Sequence, residues 1–534
     1  MRPLSTLRVL RGTRRAVLVP GCAMLALLSG CDLAPAYHPP ALTLPAAWGE
    51  DPVMRTAHPD DAALRPDWWT MFGDPVLDRL EAQATEANPD LNAAAESFTQ
   101  SRDIAREAES KLYPQLTGGA SGYKYKSSRK RLYRGGTATG PIYMSSEQYW
   151  AAASWEPDFW DSIRNQTRVR KAYAQQKAAD YALARLSIQA ELATDYMALR
   201  GLDAQHAVYT DSIAYYQTAV QITKMRQAGD IAAGIDVSRA QNQLYATQAA
   251  DTDILAQRSV LEHAIAVLVN VAPGAFHLEP VPSLSFRPVA LGAGVPSTLL
   301  ERRPDIAGAE RAVEQANRAI GITRAAYYPH ITFNAMTGFM DNGFDLASLS
   351  NAMYQFGVGA VLPLFQGGLR RAELQRSWSQ YRQAQDEYRA TVLDAFQDVE
   401  DGLSLRTRLQ TEAQQQEQAV GAAMRTQRMS MALYTGGLTN YLDVVVAQVA
   451  ALTARIAEVK VQAEHLQATV RLIRALGGGW SRAELPGTKT IDPFGPLQYD
   501  GLHHPRPTGG IPVDTPPSAD DLTRGGLTQG AKSR

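Results

Sequence analysis

Residues Ala325–Gly368 read AAYYPHITFNAMTGFMDNGFDLASLSNAMYQFGVGAVLPLFQGG, and the fold turns on this stretch. After Tyr327-Tyr328-Pro329, the residues Ile331, Phe333, Ala335, Thr337 and Phe339 alternate with His330, Thr332, Asn334 and Gly338. Beyond a loop at Asp341–Met353, Tyr354, Phe356, Val358, Ala360 and Leu362 alternate with Gln355, Gly357 and Gly359. Pro363 and Gly367-Gly368 end the run. A period of two is the mark of a strand with unlike faces. Runs of about ten residues match a tilted membrane-spanning strand, one face lipid-compatible and one wetter. Taken alone, the pattern also fits a surface hairpin on a soluble protein.

A repeat decides between these readings. Asn88-Pro89-Asp90 recurs as Arg303-Pro304-Asp305, and Tyr113-Pro114 as Tyr328-Pro329, both displaced by 215 residues. Pro157-Asp158-Phe159 closes an earlier β-like stretch as Pro363-Leu364-Phe365 closes the later one, 206 on, and Ala228-Gly229 recurs as Gly436-Gly437, 208 on. One displacement that shortens only across the hairpin describes a duplicated architecture. Proline suits neither helix nor strand interiors, so these prolines mark where one gives way to the other.

The chain has 534 residues and a net charge of −1, which gives no signature of nucleic-acid binding. Its two cysteines, Cys22 and Cys31, lie at the extreme N-terminus, leaving the body without a disulfide framework or thiolate metal site. No 18-residue apolar run follows residue 31, which argues against a helical span. Arg2, Arg8, Arg11, Arg14 and Arg15 precede an apolar core at Ala16–Leu28 and then Leu28-Ser29-Gly30-Cys31. This is the layout of a signal peptide ending in a lipobox, predicting cleavage before Cys31 and acylation (palmitate) of that residue.

Further along, Pro35, Pro39, Pro40 and Pro45 suggest an extended tether over Asp32–Ala47. Then come Trp68-Trp69, Phe72-Gly73-Asp74-Pro75, Leu77, Leu80 and Asn88-Pro89-Asp90-Leu91. With Cys31, Pro35, Tyr37 and Pro39, these residues closely resemble the opening of the outer membrane factor family. These are the TolC-like channels of tripartite efflux systems, and the resemblance is to their lipoprotein, NodT-type branch (similar to OprM). It extends over residues 31–480 and includes the duplication. The expected organisation is a signal peptide at 1–30, an extended lipidated segment at 31–73, and a first repeat at 74–272 with strands at about 115–126 and 146–158. A connector at 273–296, a second repeat at 297–479 with strands at about 330–340 and 354–364, and a disordered tail at 480–534 complete it.

The helices stand on their own periodicity. Ala172, Ala179, Leu183, Leu186, Ala190, Ala193 and Met197 form one heptad seam, and Val449, Leu452, Ile456, Val459, Ala463, Leu466, Val470 and Ile473 another. Ile163–Gly229 offers a helical pattern that would reach about 100 Å. Gly201 and Gly402 are expected to kink or break the long helices. Four strands cannot close a barrel alone, because open edges in hydrocarbon leave backbone groups unpaired. The fold expected is therefore a membrane α+β protein, four strands per chain. The resemblance implies that a homotrimer closes a twelve-stranded outer-membrane barrel above a long periplasmic α-helical barrel.

No catalytic or cofactor motif stands out, and His503-His504 lie in the tail without a ligand set. A non-enzyme is expected, its one attached group the lipid on Cys31. The informative polar sites are two helix-to-helix turns, around Gly229 and Gly234 and around Gly436 and Gly437. Glycine tolerates the positive φ that ends a helix, and Asp236 and Asp443 suit the next helix's start, so capping is one role for them. The resemblance implies another: these turns form the periplasmic tip, Asp443 lines a constricted entrance, and Asp236 pairs with Tyr434 as a gate. The chain departs from the family pattern in having Val446 for a second ring aspartate and Thr439 for a basic residue. Lys124, Lys126, Arg129, Lys130, Arg131 and Arg134 form a basic outer loop facing solvent or anionic lipid headgroups. Asp32, directly after Cys31, retains lipoproteins at the inner membrane in some bacteria, whereas barrel strands require the outer membrane. The partners implied are outer-membrane lipid, a periplasmic adaptor and an inner-membrane pump, with no nucleic acid. Rival functions are a type I protein-secretion duct and a non-conducting lipidated scaffold.

Overall fold

The computed structural model describes residues 31–41, 48–49, 65–130, 143–284, 286–287, 289, 291, 298–341, 348–491 and 495–496. The expected signal peptide, Arg131, Arg134 and His503-His504 lie outside the described residues. In chain order the elements are α1 (Pro75–Ala87), α2 (Pro89–Ser110), β1 (Gln115–Lys126), β2 (Tyr143–Trp155), α3 (Ser162–Ala228) and α4 (Gly234–Leu268). The second half supplies the short α5 (Leu299–Arg302), then α6 (Pro304–Ala325), β3 (His330–Asp341), β4 (Ala352–Val361), α7 (Leu369–Thr435) and α8 (Tyr441–Ala475). Helices α2 and α6 both have 22 residues, α3 and α7 both 67, and α4 and α8 both 35.

Each 67-residue helix is flanked by a 35- and a 22-residue helix butted end to end. At one joint Asn88 Nδ2 donates to Leu268 O over 2.9 Å, and at the other Arg303 Nη1 donates to Ala475 O over 3.2 Å. Asn88 also caps α2, accepting from Asp90 N and Leu91 N, while Asp74 caps α1. The two halves pack through α3, which contacts α6 and α8, so the helices form one continuous array rather than two domains.

Among the described residues three non-glycine residues adopt positive φ: Asp161, Asp230 and Asn270, at 51°, 57° and 57°. Their counterparts 207 residues on are Gly368, Gly437 and Gly477, also at positive φ. The first repeat thus uses Asp or Asn, whose short polar side chains tolerate this region, where the second uses glycine. Of the four tip glycines only Gly437 takes a positive φ; Gly229 is at −91° and Gly436 at −76°. The left-handed residue is the one after each, because Ile231 N and Leu438 N must turn back to Arg226 O and Leu433 O.

Several expectations are corrected here. Gly201 and Gly402 do not break α3 and α7, which run through them. They permit close helix approach instead: a Cβ on Gly201 would stand 2.7 Å from Ala463 Cβ, and one on Gly402 3.1 Å from Leu472 Cδ1. In its described residues, 31–41 and 48–49, the N-terminal segment is no loose tether. Tyr37 Oη reaches Glu310, Gly49 N donates to Glu400, and Trp48, Trp68 and Phe72 are fully buried in the main core. Residues 480–491 are likewise packed, with Trp480 against Ala182 and Ala307 and Ile491 against Ala105 and Ala174. Buried apolar surface outweighs the ordering of these few residues. β2 stops short of Pro157 and β4 short of Pro363, because proline has no N–H to continue a ladder.

One core residue has a pH signature. Glu81 on α1 is 0% exposed and neither carboxylate oxygen has a partner among the described residues. Burial above all, then the Asp78 charge, holds its pKa well above the carboxylate range. A raised folded pKa means that its contribution to stability is fullest below the ordinary glutamate value and is lost as pH rises through the folded one. Glu81→Met is therefore expected to add about 1–3 kcal/mol of stability at pH 8 and little at pH 4. Thermal melts at both pH values check this, and an equal gain at both would place the benefit in packing rather than charge.

Candidate functional site

The sheet order is β1-β2-β3-β4, antiparallel throughout. Register decides which side chains share a face. Ile331, Phe333, Ala335 and Thr337 stand opposite Ala360, Val358, Phe356 and Tyr354, so the two apolar alternations meet on one side. Trp155, Ala153, Ala151 and Tyr149 of β2 join them, followed by Leu116, Gly118 and Ala120 of β1. The opposite face carries Thr117, Ser121, Gln148, Asn334 and Gln355, with Trp150 lying over Gly119. Tyr354 and Phe356 are each 77% exposed, so this apolar face is uncovered within the single chain. Strands β1 and β4 each have a free edge. Among the described residues no helix is long and apolar enough to cross a membrane.

At the other end of the long helices lie the two turns, joined across the repeats. Arg226, in the last turn of α3, donates through Nη1 to Thr435 O at the end of α7 (3.2 Å). Its guanidinium also lies over the Tyr434 ring, 4.7 Å from the centroid. Tyr434 is buried, with the Tyr441 ring packed against it at 5.1 Å, in a cluster with Tyr216, Val220, Leu244 and Val444. The Tyr434 hydroxyl has no hydrogen-bond partner among the described residues. Burial first and then the charge of Asp236 raise its pKa, against the opposing pull of Arg226.

Among the described residues no hydrogen bond or ion pair joins Asp236 to Tyr434 in this joint: Asp236 lies 3.6 Å from Arg239 and bears on Tyr434 only through its charge. Asp443 is not part of that joint. It is exposed, accepts from the Thr439 hydroxyl, and receives its own N–H cap from Asn440 (3.2 Å). Asp236 and Asp443 are the third residues of α4 and α8, where a carboxylate favours the helix dipole, while Asn440 rather than Asp443 is the side-chain cap. Val446 is 61% exposed one turn further along. Sequence reasoning missed Arg226. Its signal was present: a cation one turn before a helix-ending glycine, where the dipole favours it.

Comparison with known proteins matches these features to one family. The profile described as outer membrane efflux protein covers residues 80–270 and 295–478, one segment for each repeat. The chain belongs to the outer membrane efflux protein family. The pyoverdine export outer membrane protein OpmQ of Pseudomonas aeruginosa is 30% identical over 463 residues, 85% of this chain and 95% of that protein. The toluene efflux pump outer membrane protein TtgC of Pseudomonas putida is 28% identical over 463 residues, 85% and 94% of the two chains. The solved structure of the outer-membrane channel OprN superimposes with a TM-score of 0.77 at 25% identity, covering 84% of this chain and all of that one.

Proposed function

We propose that this chain is the outer-membrane duct of a tripartite efflux system, closed as a homotrimer. The observation that carries the reading is the four-stranded sheet, apolar on one face and open at both edges. In a bilayer such edges must be paired, and three copies make a closed ring of twelve strands. Apolar side chains left exposed on the helices, Tyr245, Val260, Val267 and Leu393 among them, support the same association along the helical body. Small organic molecules are the cargo this reading favours, in keeping with the pyoverdine and toluene named for the relatives. Cys31, which is exposed, carries the lipid anchor. A periplasmic adaptor and an inner-membrane pump dock at the tip turns, where Ile231 and Leu438 are exposed, and the pump supplies the energy.

The gate in this reading is the joint of Arg226, Tyr434 and Asp236, with a ring of Asp443 carboxylates drawing cations to the entrance. Opening separates the end of α7 from that of α3. Single-channel conductance in planar bilayers tests duct and gate together. Wild type is expected to conduct weakly, and Arg226→Ala and the Asp236→Ala, Tyr434→Phe double variant to conduct several-fold more, since each loosens the joint. Asp443→Ala should lower cation preference. A large wild-type conductance would overturn the gate, and a folded oligomer that never conducts would overturn the duct.

A further inference from the structure

Asp32 carries more contacts than its place in a tether requires. Its Oδ1 accepts from Ala34 N (3.0 Å) and from Asn165 Nδ2 (2.9 Å). Its Oδ2 accepts from Arg168 Nη1 (2.8 Å) and Arg318 Nη1 (3.3 Å). Asn165 and Arg168 belong to α3 in the first repeat, and Arg318 to α6 in the second. The neighbouring backbone is held as well. Cys31 N donates to Phe159 O over 3.0 Å, and Leu33 O accepts from Arg324 Nη1 over 3.0 Å. Ala34 lies so close to α6 that a Cβ on Gly321 would stand 2.8 Å from its own Cβ.

We propose that Asp32 is a carboxylate latch that fastens the N-terminal segment to both repeats where the helices meet the sheet. Its role in this chain is to hold Cys31 at that level, not to direct sorting between membranes. A carboxylate is the group that fits. It offers acceptors alone, and every partner around it is a donor. An asparagine in its place would turn an NH2 toward the two guanidiniums, losing the charge and setting donor against donor. Burial works to raise the Asp32 pKa, but hydrogen bonds from Asn165 and Ala34 and the charges of Arg168 and Arg318 outweigh it. The latch is therefore ionised at neutral pH.

The test uses the full-length protein, with two readouts, and it does not depend on whether the channel conducts. Hydrogen exchange across residues 31–37 reports the latch, and density-gradient separation of the two membranes reports sorting. Asp32→Asn is expected to speed exchange in that segment about tenfold and leave the membrane distribution unchanged. Arg168→Ala with Arg318→Ala, which keeps Asp32, should speed it similarly, and Asp32→Glu should restore much of the protection. Unchanged exchange in Asp32→Asn would overturn the proposal. So would a shift between membranes in Asp32→Asn that the double arginine variant does not share.

Discussion

Asp203→Ala is expected to cost about 3–5 kcal/mol, the scale of removing one partner from a buried charge network. Asp203 on α3 is 1% exposed at its side chain and accepts from Arg258 Nε at 2.6 Å and Arg200 Nη1 at 2.9 Å. It also accepts from Val281 N, in the connector between the repeats, at 3.1 Å. Arg258 continues to Glu262 (3.0 Å) and to Leu278 O, and Glu262 accepts from Leu278 N (2.6 Å). Arg200 donates to Glu279 O at 2.7 Å. Two arginines and two carboxylates thus balance one another while they tie residues 278–281 to α3 and α4. With Asp203 gone, both guanidiniums lose an anion in a site water does not freely reach. Thermal unfolding of the detergent-solubilised protein measures the cost, and proteolysis should open first in the connector. A loss below about 1 kcal/mol would mean that the network behaves as an exposed one.

Gly338→Val is expected to be at least as damaging, about 4 kcal/mol or more, because the obstruction is backbone. Gly338 pairs with Trp150 of β2 and Met353 of β4, so its strand is held on both sides. A Cβ there would stand 2.0 Å from Tyr149 O and 2.8 Å from Trp150 Cα. No side-chain rotation relieves that contact; β2 and β3 must separate. Among the described residues this is the one ladder joining the hairpin of the first repeat to that of the second. Heat-modifiable gel migration, the mark of an assembled barrel, should be lost in Gly338→Val. Gly357→Ala, whose Cβ would meet nothing within 4 Å, is the matched control and should retain it. Normal migration of both variants would show that the ladder can part there without loss of assembly.

The chain's local chemistry made much of this legible. Alternation at Ile331–Phe339 and Tyr354–Leu362 marked two strands with one apolar face, and the register puts both sets on the same side. Heptad spacing marked the long helices, and Ala172, Ala179, Leu186, Ala190, Ala193 and Met197 of the first seam are buried. The second seam is only partly covered in the single chain: Val470 and Ile473 are buried, whereas Val449 is 43% exposed. At the tip, Arg226 was not legible, because its partners Tyr434 and Thr435 lie about 209 residues away across the other repeat.

By itself the sequence determined the elements and their duplication, since periodicity and proline placement act within a few residues of themselves, while the motif resemblance pointed to the family. Only the tertiary structure decided what depends on distant neighbours. Gly201 and Gly402 became points of helix contact rather than breaks, because Ala463 and Leu472 of α8 pack against them. Tyr37 of the proline-rich N-terminal segment, Trp48 and Trp480 became packed parts of the body for the same reason. Asp32 turned from a residue beside an anchor into a four-donor acceptor, since three of its donors come from helices that only folding brings to it.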